Sequence, residues 1–406
     1  MDYDIAIVGG GLNGPALALA LADAGLQVAV IDALPVAARM GDAFDGRGYA
    51  LALSSQRLLA GIGIWDAVAK HAQPILDVCV TDGRAGEGPS PFILEFDHAE
   101  IDEGPMGYML EDRFLRRAFL LALKAHPGIT EISGETVIAQ EITPSGAMLT
   151  LGSGAKIAAR VIVGCDGRSS GTAARAGIKR TGWGYGQTAL VCAIAHDLPH
   201  NGCAHQFFMP SGPLAILPLP GNKSSIVWTE GESVAAKINA LTDEDYLAVL
   251  RPRFGDFLGE LSLAGARFSY PLNLTIANRF VSPRLALVGD AAHGMHPIAG
   301  QGLNAGLRDV GALAEVLILA HRRGEEIGQI DVLERYQQWR RFDTATLALA
   351  TDSFNRLFSN DNALLRFGRD LGMGVLNALP NVRRRAIREA AGLSGDLPKL
   401  MRGLAI

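Results

Sequence analysis

Two widely separated stretches of the chain share one pattern of apolar and polar positions. In DYDIAIVGGGLNGPALALALADAGLQVAVID, an apolar run from Ile5 to Val8 breaks at Gly9, resumes as an alanine- and leucine-rich segment, and ends in a second apolar run, Val28 to Ile31, closed by Asp32. Much later RLALVGD, Arg284 to Asp290, is again an apolar run ending in glycine. A proline- and glycine-rich loop follows it, then the helical periodicity of LNAGLRDVGALAEVLILAHRR. Short apolar runs bounded by turn residues predict strands, and the 3.6-residue recurrence predicts a helix. The alternation ALALALA fits a strand taken alone, yet directly after a glycine loop it predicts a helix buried on most sides. Between the two stretches TALVCAIAH, AHQFFM, PLAILPL and SSIVWT are strand-like runs separated by turns, which predict a mixed or antiparallel sheet.

The first stretch has the parts of a dinucleotide site. Gly9 permits a tight turn, Gly11 lets backbone approach a pyrophosphate, and Gly14 lets the helix pack against the strands, with the helix N-terminus facing the anion. Asp32 lies 21 residues after Gly11, where a carboxylate accepts bonds from ribose hydroxyls. This loop alone does not separate FAD from NAD. The second stretch favours FAD, because a ribityl chain offers hydroxyls to a carboxylate such as Asp290 beside Gly289. Gly300 and Gly302 let backbone approach a flat isoalloxazine ring, and the helix beginning near Leu303 aims its positive end at an anionic reduced flavin.

These elements predict an α/β fold. A Rossmann-like FAD domain around a parallel sheet takes residues 1–70, 100–180 and 265–322; a mixed or antiparallel β-sheet substrate domain takes 71–99 and 181–264; a helical C-terminal region takes 323–406. The 406 residues are enough for two or three cores. A net charge of -5 argues against nucleic acid as a partner. Four cysteines without a C-x-x-C pair predict neither a disulfide framework nor a cysteine zinc site. No apolar run reaches the roughly 18 residues that span a bilayer, and the first residues lack a signal-peptide pattern, so a cytoplasmic location is expected.

Gly289-Asp290-Ala-Ala-His293, His296-Pro297, Gly300-Gln301-Gly302 and Leu303-Asn304, together with the first loop, resemble the aromatic-ring hydroxylases among flavoprotein monooxygenases. Further stretches, DGRGYALALSSQRLLAGIGIW, DGRSSG, GPLAILPLP, YQQWRRFD and TDSFNRLFSND, are similar to the ubiquinone-biosynthesis hydroxylases. The resemblance implies FAD as cofactor, with Arg47 and Arg113 beside its pyrophosphate and adenosine and the backbone near Val137 against the adenine. It implies hydroxylation of an aromatic ring, most closely a polyprenyl phenol, by O2 through a flavin C4a-hydroperoxide, with electrons from NAD(P)H or a redox protein. The family's arginine at position 173 is absent here: Ala173 stands there and Arg175 follows two places later. A pocket bounded by His296, Pro297, Leu217 and Pro218 would exclude water, and His296, Tyr185 and Gln187 are candidates to touch substrate.

Other chemistry competes for some residues. Gly167-Arg168-Ser169-Ser170-Gly171 matches the G-x-S-x-G nucleophile elbow, but a hydrolase explains neither glycine loop, and a structural turn is expected. His196, His200, Cys203 and His205 cluster locally, and His293 and His296 are three apart; neither group has a recognisable metal spacing, so solvated loop histidines and loop packing are expected, with no metal. From residue 361 onward eight Lys/Arg face four Asp/Glu, including Arg366, Arg369, Arg383, Arg384, Arg385 and Arg388. This is either a solvated helix face or a surface for anionic lipid, and a prenylated substrate makes peripheral membrane attachment and association with other ubiquinone-biosynthesis proteins reasonable. A monooxygenase of soluble aromatics and a non-catalytic FAD-bearing scaffold remain as alternatives.

Overall fold

The computed structural model describes residues 2–41, 44, 47–86, 88–294, 301–343 and 379–406. The apolar runs of the two glycine stretches lie in one sheet. Its order is Val281–Ser282, Leu285–Leu287, Lys156–Gly164, Tyr3–Val8, Val28–Asp32, Ile129–Ser133, and the last five strands run parallel. A hairpin, Val137–Ile142 and Ala147–Leu151, adds antiparallel to Lys156–Gly164. From Tyr3–Val8 the chain steps to Val28–Asp32 on one side, and its other neighbour, Lys156–Gly164, comes much later. The carboxyl ends of these central strands therefore flank the crevice where open α/β sheets bind ligands.

The ALALALA segment is helix, Asn13–Ala22, with nine of its ten residues buried. Burial all round removes any need for an amphipathic period, so alternation is no bar to a helix. It packs between the parallel sheet and the long helix Gln301–Arg322, whose Leu307, Val310, Leu313 and Leu317 are buried at helical spacing.

The second sheet runs His293–Gly294, Phe268–Ala277, Arg180–His196, Lys223–Gly231, Gly212–Leu219, Cys203–Met209, Asp77–Arg84, Gly88–Asp97, with Leu261–Leu263 also on Arg180–His196. All its pairings are antiparallel except Cys203–Met209 with Asp77–Arg84. Phe268–Ala277, within the segment expected in the FAD domain, pairs here along Arg180–His196. The reason is length: the 17-residue strand Arg180–His196 extends beyond the run expected from residue 188 and needs a partner along its first half. His293–Gly294 then joins the same edge, so the Gly-Asp loop links the two sheets over a few residues.

A third sheet, Gly48–Ala52, Gly107–Glu111 and Gln73–Ile75, packs against the inner face of the second through Met109, Leu219 and Ala193, with Ile387 of a C-terminal helix in the same cluster. The outer face is covered by the helices Glu232–Asn239 and Asp243–Phe254 around Trp228 and Tyr246. The described part of the C-terminal region holds helices at 330–343 and Pro380–Ala390. Among the described residues no helix is long and apolar enough to cross a membrane.

Candidate functional site

The three glycines of the first loop have distinct surroundings. Gly9 adopts φ +112°, and a Cβ there would lie 2.3 Å from the Cys165 carbonyl oxygen; on Gly14 it would lie 2.0 Å from the Gly9 oxygen. Among the described residues Gly11 has nothing within 4 Å of such a Cβ, so its backbone faces open space there. Asp32 accepts from the N–H groups of Gly10 at 2.6 Å and Leu34 at 2.8 Å. Behind it the buried Arg39 donates to the Gly10 carbonyl and pairs with Glu131 at 2.5 Å. The carboxylate thus clamps the loop and keeps lone pairs for a ligand.

A cavity of about 480 Å³ opens at these strand ends, lined by Gly11, Asp32, Val137, Asp166 and Arg175 among others. Arg175 donates to the Val137 carbonyl at 3.1 Å and to Gln140 at 3.2 Å, which holds its guanidinium on the wall. Burial pulls its pKa below the ordinary arginine value, against Asp166. Ala173, at the position where the family carries arginine, is buried. A cation therefore reaches the cavity from two residues further along the short helix Gly171–Arg175. The G-x-S-x-G stretch is that helix's cap: the Ser170 hydroxyl donates to Asp166 and accepts from the Ala173 N–H, while Ser169 is exposed. Arg47 and Arg113 stand outside this cavity, paired with Asp112 at 3.6 Å and Glu111 at 2.7 Å.

The second loop meets the first at Asn13. A Cβ on Gly289, which has φ +61°, would lie 2.2 Å from Asn13 Nδ2, and one on Gly306 would lie 2.4 Å from it. Two glycines nearly three hundred residues downstream thus make room for one side chain of the first loop. Among the described residues Asn13 Oδ1 is buried without a hydrogen-bond partner, an acceptor left over at the junction. Asp290 is partly exposed; its carboxylate is 3.5 Å from Arg168, and its backbone carbonyl accepts from Arg180 at 2.8 Å.

Beneath this loop lies a charged cluster that sequence reading missed. Asp309, fully buried, accepts from the Gly289 N–H at 2.9 Å, His293 Nε2 at 2.6 Å and Arg340 Nε at 2.7 Å. Burial alone would raise its pKa, but His293 and Arg340 outweigh burial and hold it below the usual carboxylate range. The signal available was an aspartate on the apolar face of LNAGLRDVGALAEVLILA, with YQQWRRFD supplying the partner.

His296, Pro297 and Gly300 lie outside the described residues, as does the side chain of Gln301. Among the described residues nothing lies within 4 Å of a β-carbon built on Gly302, and Leu303 is half-buried. Asn304 accepts from the Ala52 N–H and the Ser55 hydroxyl and donates to the Ala50 carbonyl, joining the start of the long helix to the strand Gly48–Ala52. Tyr185 packs with Leu274 and Ala305 at the same helix start. Gln187 donates to the Ser211 carbonyl and so holds a turn. Leu217 packs on the inner face of the second sheet beside Ala50 and Tyr108. Pro218 is a correction to the expected pocket: strand alternation turns it to the outer face, with Ile216 and opposite Ser224.

The histidine group is also rearranged. His196 engages the Leu198 carbonyl and Ser224, and His200 engages the Leu219 carbonyl and the Gly202 N–H, so both are bonded to the loop and to neighbouring strands rather than solvated. Burial pushes His205 down to about 4. Near the C-terminus Arg383 and Arg388 pair with Glu100 and Glu103, while Arg384 and Arg385 are exposed; Arg366 and Arg369 lie outside the described residues.

An open backbone at Gly11, a carboxylate and a guanidinium in one cavity, a spare acceptor on Asn13 and a helix N-terminus beside Gly302 fit one elongated dinucleotide, FAD. Comparison with known proteins agrees. A family described as FAD binding domain matches residues 2–348. Ubiquinone hydroxylase UbiL of Rhodospirillum rubrum is 46% identical over 406 residues, covering 99% of this chain and 93% of that protein. The 3-demethoxyubiquinol 3-hydroxylase of Escherichia coli is 36% identical over 392 residues, covering 96% of this chain and 98% of its own length. The crystal structure of p-nitrophenol 4-monooxygenase PnpA from Pseudomonas putida DLL-E4 has a TM-score of 0.80 at 20% identity, over 97% of this chain and 98% of that one, a likeness of fold.

Proposed function

The chain belongs to the FAD-binding-domain family of flavin-dependent monooxygenases, and from that premise we propose that it hydroxylates the aromatic ring of a prenylated phenol in ubiquinone biosynthesis. The observation that carries the cofactor assignment is the meeting of both glycine loops on Asn13. The substrate class rests on full-length similarity to a ubiquinone hydroxylase and a demethoxyubiquinol hydroxylase.

The reaction consumes one O2, two electrons and two protons, converts a ring C–H to C–OH and releases water. Bound flavin supplies oxygen activation and transfer. The residues of this chain position it and shield it. Gly11, Asp32 and Arg175 would hold the adenosine and pyrophosphate end, Asp290 would serve the polyol, and the N-terminus of Gln301–Arg322 would lend positive potential to the ring. The Val137 backbone would border the adenine, and Arg47 and Arg113, paired with Asp112 and Glu111 outside this cavity, would add positive charge near the cofactor. Tyr185 and Leu217 would bound the substrate ring and keep water away, and His296 and Pro297, outside the described residues, are assigned to this pocket from the sequence alone. NAD(P)H, or a redox protein, supplies the electrons.

The substrate's prenyl tail favours a protein that works at the bilayer surface from the cytoplasmic side. Arg384 and Arg385 are exposed beside Leu379 and Val382, which are 46% and 40% exposed, a combination suited to anionic lipid. Flotation with anionic vesicles tests this: retention is expected, and its absence removes the membrane reading.

The central test is turnover of the purified flavoprotein with NAD(P)H, a prenylated phenol and 18O2. The expected product carries one labelled oxygen. Turnover confined to unprenylated phenols would shift the assignment to a soluble aromatic, flavin binding without product would mark a scaffold, and a chain that stays colourless with added FAD would overturn the proposal altogether.

A further inference from the structure

The outer face of the second sheet carries a group of donors remote from the flavin loops. Cys203–Met209 and Asp77–Arg84 form that sheet's parallel pair, with His205 directly opposite Cys79. Cys203 precedes His205 by two residues, so the three side chains stand on one face. Cys79 and Cys203 have their Sγ atoms 3.5 Å apart, and one donor atom from each of the three residues lies within 4.8 Å of the others. Cys79 and His205 line a cavity of about 690 Å³, walled opposite by Phe254 and Phe257. The Phe257 ring is 4.6 Å from the imidazole. Among the described residues neither ring nitrogen of His205 makes a hydrogen bond, in contrast to His196 and His200, whose nitrogens are all engaged.

We propose that Cys79, Cys203 and His205 form a zinc site whose fourth position is open to this cavity. Tetrahedral zinc with Zn–S near 2.3 Å and Zn–N near 2.0 Å sets its donors roughly 3.5–3.8 Å apart. The two sulfurs already have that separation, and the imidazole needs a shift of at most roughly 1.3 Å to come within bonding distance. Two thiolates neutralise the ion, and sulfur with imidazole selects zinc over the hard cations magnesium and calcium. A disulfide fits less well. The cysteines lie on a diagonal of the ladder, where a rise of ~3.3 Å per residue and ~4.8 Å between strands put their α-carbons roughly 8 Å apart. Disulfides rarely span more than about 6.8 Å. With three protein donors, water completes the shell on the cavity side, as in zinc sites that exchange a ligand. The site stands independently of the flavin assignment, since its residues are on the sheet face turned away from the third sheet.

The test loads reduced holoprotein with zinc, removes excess by dialysis, and counts zinc against flavin and protein. One zinc per chain is expected, with X-ray absorption showing two sulfur donors near ~2.3 Å and nitrogen or oxygen near ~2.0 Å. Cys79→Ser, Cys203→Ser and His205→Gln are each expected to weaken zinc binding roughly tenfold or more, with flavin content unchanged. His205→Gln keeps both thiols and carries the test if a serine variant does not fold. Absence of zinc from the loaded protein, equal zinc in the variants, a sulfur-free shell, or a Cys79–Cys203 disulfide in peptide maps of the unreduced protein would each overturn the proposal.

Discussion

The loop after Tyr3–Val8 is shaped by backbone, whereas the loop after Leu285–Leu287 is anchored by charge. In the first, Gly9 and Gly14 leave no space for a β-carbon and a partly exposed Asp32 gathers the Gly10 and Leu34 N–H groups. In the second, the Gly289 N–H reaches a carboxylate with no exposure, itself held by His293 and Arg340. Local glycine sterics can be made by neighbours in sequence. A loop that must reach a ligand from a distant part of the chain needs a tether from other elements, here two helices.

The largest expected effect breaks that tether. Asp309→Ala leaves Arg340 buried without its counter-charge and His293 without its hydrogen-bond partner, and should cost about 3–5 kcal/mol in urea unfolding, with loss of flavin. Because the folded pKa of Asp309 is lowered, its contribution is complete above the unfolded carboxyl value of about 3.9 and is lost as pH falls through the lower folded value. The difference in urea midpoint between wild type and Asp309→Asn should therefore hold from neutrality to about pH 4 and close below it.

The first loop has a matched pair of glycines. Gly14→Ala forces a β-carbon against the Gly9 carbonyl and should destabilise the flavin-free protein by about 1–3 kcal/mol. Gly11→Ala meets open space, so flavin-free stability should stay within about 0.5 kcal/mol while FAD binding weakens. Equal effects of the two on the flavin-free protein would erase the distinction between packing and ligand glycines. Asn304→Ala, which unties the long helix from Ala50 and Ala52, should cost about 1–2 kcal/mol by thermal or urea unfolding. Arg175→Gln should lower FAD affinity about tenfold, or about 1.4 kcal/mol by titration, with little effect on stability. The smallest effect is expected from Arg384→Gln with Arg385→Gln: unchanged unfolding and weaker vesicle binding.

Much of this arrangement is legible along the chain. Strand, glycine loop and helix follow one another locally in both stretches, and turn sterics act within a few residues. The face of a strand is also written as an alternation, but its direction is not: Leu217 and Pro218 had to point opposite ways, and only packing against Ala50 or against the outer helices assigns which is which. Arg175 shows the same limit, since its reach to Val137 depends on a hairpin packed beside it.

What the amino-acid order by itself determined is the kind of cofactor and the two backbone devices that meet it, because glycine spacing and helix starts are short-range geometry. What only the tertiary structure decided is which charges share a burial site and which strands lie side by side. Asp309 found His293 and Arg340 on separate elements, and Cys79 found Cys203 and His205 more than a hundred residues away, through the register of packed segments. That register is set by the packing of whole sheets and helices, a sum of many weak contacts that no local pattern records.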